Sequence, residues 1–566
     1  MKSVFLYKEF TMIKTKIVSS LEKVFLDDSL DGFSQIDKIS VLKGERLSLQ
    51  LIYTYEGKDS PFTLEPRRIA PKISGALADY LSIRRVFHVP VMKTLHNSGS
   101  DDNYVRKESG LFPDILRPLY YGGKLSFALD MLSSAWLEIN VPEDMEAGEH
   151  TLTISFDGGE FGTCESTVTI DVINATLPKE DIYFTQWFHA DCLANYYNVD
   201  VWSDRHFEIV ENFVRTARRN GINTLLTPVF TPPLDTAVGG ERRTTQLVGV
   251  TKNDDGYSFD FSLLDRWLSM CDRCGMDYIE ISHLFTQWGA SHAPKIMATV
   301  NGEYKKIFGW ETDALGDEYA NFVRTFLTAL LTHLKKTGHD KRCLFHISDE
   351  PGLAHLENYK RAKAIVSDLL EGYTIMDALS KYDFYQTGVL DHPIPSSNHI
   401  QPFIDGGVKD LWTYYCVSQY ENVSNRYHSM PGCRNRSIGM QIYKYNIVGF
   451  LQWGYNFYNN QYSGDPINPY YEQSADFAFP GGDAFSVYPE NDGTALESPR
   501  LVVFHEALQD IKAMKLAESL YSHDEVVAAI EDVFGQTITF ETCAKTSDMM
   551  ISIREKINSM IKQAIK

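Results

Sequence analysis

The chain has 566 residues, more than one hydrophobic core organises, so two or three domains are expected. Hydrophobic residues make up 43% and charged residues 23%, the balance of an ordinary globular protein in water. A net charge of −21 excludes nucleic acid and anionic membranes as main partners, while 31 Tyr and 8 Trp suit stacking against sugar rings as well as the filling of large cores.

Met1–Ser20 alternates apolar residues with Lys2, Lys8, Lys14 and Lys16. It has no unbroken apolar stretch and no small-residue cleavage site, so no signal peptide is expected, and no run reaches membrane-spanning length. A cytoplasmic location follows, with Met12 as an alternative start. Residues 20 to about 178 read as all-β: Ser40–Leu51, Trp136–Val141, Glu149–Phe156 and Ser166–Asn174 alternate apolar and polar residues between turn clusters such as Asp157-Gly158-Gly159. That is the pattern of an antiparallel β-sandwich with one face of each sheet buried, and a first domain over 1–178 is expected.

From about residue 179 the pattern changes to alternating strands and amphipathic helices. Strands are expected at Tyr183–Phe188, Thr224–Val229, Tyr278–His283 and Cys343–Ile347, and near Thr374, Phe384, Leu411 and Val448. Helices are expected at Arg205–Asn220, Leu263–Cys274, Glu318–Lys336 and Leu353–Leu370. About eight such units over 179–518 is the arithmetic of a (β/α)8 barrel. Residues 519–566 read as a C-terminal helical segment, with helices at Asp524–Phe534 and Ile551–Ile565.

Active sites of such barrels lie where strands end. Six of the expected strands end in polar and aromatic clusters: Gln186 to Asp191, Pro228 to Asp235, Ser282-His283 with Gln287-Trp288, Ser348-Asp349-Glu350, Trp412 to Tyr415, and Trp453 to Tyr458. Unsatisfied Trp, Tyr and His are disfavoured in a core, so six such clusters point to one lined rim. The most telling stretch is Phe345-His346-Ile347-Ser348-Asp349-Glu350-Pro351. Neighbouring residues of a strand face opposite ways, but Pro351 forces Glu350 out of helical geometry and turns the chain outward with both acids near the rim. Two carboxylates on one rim repel, which holds a proton on one and leaves an acid beside a base. The competing reading makes Ser348, Asp349 and Glu350 the N-terminal caps of the following helix. The eight cysteines have no framework spacing, and Cys271 and Cys274 lie in a helical pattern without a second pair, so they read as reduced thiols. His189, Asp191 and His283 lack compact ligand spacing, and neither a metal nor another cofactor is expected.

Thr185 to His189, Leu234-Asp235-Thr236, Phe285 to Gly289, His346 to Pro351 and Trp453 to Asn456, in that order, resemble glycoside hydrolase family 123, the β-N-acetylgalactosaminidase family, over roughly residues 110 to 515. The resemblance implies a sandwich-plus-barrel architecture and a retaining, substrate-assisted removal of terminal β-linked N-acetylhexosamine from a carbohydrate substrate. Asp349 matches the residue that orients the 2-acetamido group, and Glu350 matches the general acid/base. Trp288 and Trp453 are candidates to floor the sugar subsite, and Trp187 is a further substrate-binding candidate. Tyr414 or Tyr415 is a candidate to bond the acetamide oxygen, and His189, Asp191, His283, Tyr455 and Asn456 are further binding candidates. If the sugar carries no acetamide, a further acid such as Asp191 or Asp235 must be the nucleophile. A carbohydrate-binding protein without catalysis is the third reading, and two mutually repelling acids count against it. Oligomeric state is left open by the sequence.

Overall fold

The computed structural model describes residues 12–56, 67–119, 122–159 and 162–565. The reading of the first lysine-studded residues therefore falls largely outside the described part, and the alternative start Met12 is the first residue of a strand, Met12–Ser19.

The N-terminal region is built of two sheets. One has five antiparallel strands, with Met12–Ser19, Arg46–Glu56 and Ser133–Asn140 paired in succession and Leu81–Val91 and Gly110–Pro118 completing it. The other has four, centred on the hairpin Gly148–Asp157 with Thr163–Thr176. Ile17, Leu49, Leu51 and Leu137 of the first and Val41, Leu152, Ile154, Val168 and Ile170 of the second meet in one buried core. Two expectations change here. Ser40–Leu51 is two strands, Lys38–Lys43 and Arg46–Glu56, which lie in different sheets because the chain turns at Gly44 with φ of +75°. Lys38–Lys43 also pairs parallel to Thr163–Thr176, so the second sheet is mixed.

Eight further strands form one all-parallel sheet: β1 (Tyr183–Gln186), β2 (Thr224–Thr227), β3 (Tyr278–Ile281), β4 (Cys343–Phe345), β5 (Thr374–Ala378), β6 (His392–Ile394), β7 (Trp412–Tyr414) and β8 (Gly449–Gln452). The order is β6-β5-β4-β3-β2-β1-β8-β7, and a bridge between Ser396 and Tyr414 joins the two ends into a nearly closed barrel. These strands are buried on both faces, which is why they read as continuous apolar runs. Phe184, Leu225, Ile279 and Phe450 pack outward on the helices, while Leu226, Leu344, Met376, Ile394 and Leu451 fill the inside. Tyr183 packs on Tyr278 and Trp412 at the strand starts, so Trp187, four residues further along, is carried toward the strand ends. The expected strand near Phe384 is instead a short helix, Tyr382–Gln386, and the sixth strand lies at His392–Ile394. Phe384 and Tyr385 carry strand-like side chains, but the segment packs Phe384 on Tyr359 of the helix outside the barrel. A four-stranded sheet made of Gly249–Asn253, Gly256–Asp260, Ile296–Val300 and Glu303–Phe308 extends the loops after β2 and β3 and is not apparent from the alternation.

Ion pairs on buried acids join the regions. Arg84 and Arg219 share Glu138 and Glu497, one acid from each side of the junction. The tail helix Ser547–Ala564 places Arg554 between Glu45 of the N-terminal region and Asp510 of the helix Pro499–Leu520. Among the described residues no helix is long and apolar enough to cross a membrane.

Candidate active site

β4 ends at Phe345, and the next residues continue as extended chain beside the end of β3: the Leu284 and Phe285 amides donate to the His346 and Ile347 carbonyls at 3.2 and 3.0 Å. The acid pair is then pinned from both sides. The Trp288 amide donates to the Asp349 carbonyl at 2.8 Å, and the Glu350 amide donates to the Ala378 carbonyl at the end of β5 at 3.0 Å. In extended chain the two carboxylates would point apart. Glu350 instead adopts φ of +43°, a left-handed conformation costly for a non-glycine residue, and both side chains line the same cleft. The capping alternative fails: the helix after β4 starts at Leu356, and its preceding turn is satisfied by the Gly352 amide donating to His355 Nδ1.

The cleft holds about 130 Å³ and is lined by Trp187, Trp288, Trp453 and Phe479, by Tyr414, and by four acids, Asp349, Glu350, Asp235 and Asp483. Asp349 is deep, 9% exposed, whereas Glu350 is open to solvent and accepts a 2.7 Å hydrogen bond from the Tyr414 hydroxyl. Burial and then the neighbouring Glu350 charge push the Asp349 carboxyl well above the usual carboxylate range, against the pull of His346. Burial likewise raises Asp235 to about 6 and Asp483 to about 7. Asp235, at φ of +39°, accepts the Tyr462 amide on Oδ2, and its own amide donates to Gln287 Oε1. Asp483 accepts the Trp453 indole N–H at 3.1 Å. Neither acid ends a strand: Asp483 follows Gly481 and Gly482, whose lack of Cβ lets that loop approach Arg426 to His428, and this glycine pair is the one sequence signal that marks it.

The other predicted residues lie outside the cleft. Tyr415 points the opposite way from Tyr414, packs on Phe450, and donates to Asn435 Oδ1 at 2.9 Å. Tyr455 donates to the Phe213 carbonyl and stacks on Phe188 in the outer core. Asn456 exchanges two hydrogen bonds with the His189 backbone, tying the loops after β1 and β8. His189 lies against the Trp453 carbonyl and Arg242, and burial followed by the Arg242 charge lowers it to about 3, so it stays neutral. Asp191 is buried in a two-point ion pair with Arg242. His283 is stacked on His346 beneath Trp187, inside the barrel. The ligating atoms of His283, His346 and Asp377 fall within 4.8 Å of one another, and both ring nitrogens of His346 already face carboxyl groups, Glu280 at 2.7 Å and Asp377 at 3.1 Å.

The Tyr pair gives a direct check on these placements. Tyr414→Phe is expected to lower kcat/KM roughly 10- to 100-fold, the worth of a hydrogen bond to a charged group. Tyr415→Phe is expected to leave kcat unchanged and to cost about 1–3 kcal/mol of stability in denaturant unfolding, because Asn435 loses its buried partner. Equal kinetic losses in both variants would contradict the assignment.

A cleft lined by acids and tryptophans thus lies at the strand ends of a parallel barrel, where barrel enzymes carry their active sites. The family model "Glycoside hydrolase 123, catalytic domain" matches residues 187–517, more than half of the chain, and the chain belongs to that family of glycoside hydrolases. A family 123 glycoside hydrolase from Clostridium perfringens, solved to describe glycolipid glycan hydrolysis, superposes on 98% of this chain and 97% of its own with a TM-score of 0.73 at 16% identity, a likeness of fold. Weaker likenesses are to a candidate β-galactosidase of Bacteroides fragilis (TM-score 0.33, 10% identity, 82% of this chain and 59% of that one) and a Bacteroides ovatus GH5 xyloglucanase (TM-score 0.26, 7% identity, 88% and 100%), and neither carries an argument. No curated protein matches the chain.

Proposed function

We propose that this glycoside hydrolase removes a terminal β-linked N-acetylhexosamine, N-acetylgalactosamine in particular, with retention and with the substrate's own acetamide as nucleophile. The observation that carries the reading is the turn at Glu350, which brings two sequence-adjacent carboxylates into one cleft, one deep and one open. Adjacent acids are poorly suited to flank an anomeric carbon as a nucleophile and acid pair, for which carboxyls about 5–5.5 Å apart on two sides are used. They suit a division in which Glu350 addresses the leaving oxygen and Asp349 the acetamide. The acetamide oxygen attacks the anomeric carbon as the glycosidic C–O bond breaks, and Glu350 delivers its proton to the departing oxygen. Asp349 as an anion stabilises the cationic oxazolinium ring. Water then attacks the same carbon while Glu350 takes its proton. Burial and the Glu350 charge favour the proton on Asp349, and an acetamide N–H set against its carboxylate favours the anion instead. Trp187 and Trp453 serve as the sugar floor. The eight parallel strands, each followed by a helix in chain order, are read as the (β/α)8 barrel of a catalytic domain over 179–518, between a sandwich over 1–178 and the helical tail over 519–566.

A second reading, a glycosidase for a sugar without an acetamide, takes Asp235 as nucleophile because it lines the same cleft. Aryl β-glycosides separate the two. Turnover is expected on N-acetylgalactosaminide, less on N-acetylglucosaminide, and none above background on the non-acetylated parents. Faster cleavage of the parents would favour Asp235.

A further inference from the structure

Directly beneath the acid pair, inside the barrel, lies a group of charged residues that the cleft itself does not use. His346 Nε2 is 2.7 Å from Glu280 Oε1 of β3, and Nδ1 is 3.1 Å from Asp377 Oδ1 of β5. All three side chains are fully buried. The partners of the two acids bear on the protonation state of His346. Glu280 accepts the Thr185 hydroxyl on Oε2 at 2.6 Å and the Trp187 indole N–H, which can only donate, on Oε1 at 2.7 Å. Asp377 accepts the Tyr359 hydroxyl and the amides of Ile347 and Ser348, and the amides can only donate. With an acid on each side, both ring nitrogens of His346 are placed to donate, and a ring with two N–H groups is an imidazolium. The His283 ring, with both nitrogens unpartnered, stacks on it at 4.3 Å and 22° and offers no competing donor.

We propose that His346 is a charged positioning residue, an imidazolium clamped between Glu280 and Asp377 under the cleft, whose charge keeps Asp349 able to act as an anion during the reaction. The proposal rests on the functional reading above and deepens it. The same unit sets geometry, since Asp377 holds the backbone amides leading to Asp349 and Glu280 holds Trp187 in the floor. The neighbouring acids all oppose ionisation of Asp349: Glu350 beside it, Asp377 below, and Asp235 across the cleft. His346 is the cation set against them, and hydrogen bonds to Asp377 and Glu280 outweigh burial to hold it ionised up to about 10.

Carboxyl ¹³C titration of Asp349, assigned by its loss in Asp349→Asn, tests this without reference to any substrate. In His346→Gln, which keeps polarity and loses the charge, the Asp349 titration is expected to move up by about one pH unit or more, the size of one nearby charge. In the wild type, ¹⁵N-histidine spectra at about pH 8.5, some two units above an ordinary imidazole, are expected to retain one doubly protonated ring. The acid limb of the kcat/KM profile of His346→Gln is expected to move up with Asp349. A neutral His346 in the wild type overturns the proposal even if the variant does not fold, and an unmoved Asp349 in a folded variant overturns it as well. Absence of N-acetylhexosaminidase activity in the wild type would count against the functional reading alone, because both titrations stand without it.

Discussion

Glu350→Gln is expected to lower kcat/KM on a natural glycoside by about 100- to 10,000-fold, the usual contribution of a positioned general acid. The loss should shrink to within about tenfold on a dinitrophenyl glycoside, whose leaving group departs as an anion and needs little protonation. The contrast follows from placement: Glu350 is the exposed member of the pair, oriented by the Tyr414 hydroxyl, and therefore able to reach an oxygen on the open side of the cleft. The introduced amide keeps the volume and the Tyr414 contact, so the barrel should hold its stability. Equal losses on both substrates would remove Glu350 from the acid role.

Asp349→Asn separates charge from shape. A thiazoline mimic of the cyclic intermediate is expected to bind the wild type at least about 100-fold more tightly than the sugar product, as transition-state-like ligands do. The substitution should cost most of that advantage and a similar factor in kcat, because the amide retains size but not the anion that faces the cationic ring. Stability should move the other way. The folded Asp349 carboxyl titrates above its unfolded value, so the folded state binds the extra proton and loses stability as pH rises from the unfolded value through the folded one. Above that window the wild type carries the full penalty of the ionised acid, and Asp349→Asn should melt at a higher temperature there. A variant that is no more stable than the wild type at any pH and binds the mimic as the wild type does would contradict both parts.

The positions of the strands are legible because a strand buried on both faces is an unbroken apolar run, and Thr224–Thr227 and Cys343–Phe345 appear within one or two residues of where such runs lie. The side chains that reach the cleft are less so. Tyr414 and Tyr415 are neighbours leaving β7, so only one can face inward, and spacing does not say which without the register that pairs Tyr414 with Leu451. Polar clusters at strand ends also contain residues whose work is to hold loops: His189 with Asn456, Asp191 with Arg242, and Tyr455 with Phe213 all look like binding residues until their partners are seen. Gly454 belongs to that second group, since a Cβ there would come within 2.2 Å of the Ala484 carbonyl oxygen. Asp235 and Asp483 reach the cleft from long loops, and no periodicity governs those. The hairpin sheet built on Gly249–Asn253 is hidden for a related reason, because its strands are short, half exposed and separated by a helix from their partners. The turn at Glu350 follows from Pro351, although its left-handed form does not.

With the substrate's acetamide as the proposed nucleophile, no side chain is expected to become bonded to the sugar. This expectation is tested most directly by intact-protein mass spectrometry during turnover of 5-fluoro-N-acetylgalactosaminyl fluoride, which keeps the acetamide, departs readily and slows the breakdown of any glycosyl intermediate. The account predicts that the reagent is consumed while the protein mass stays unchanged. A glycosyl adduct mapped to Asp235, Asp483 or Asp349 would contradict it and make that carboxylate the nucleophile.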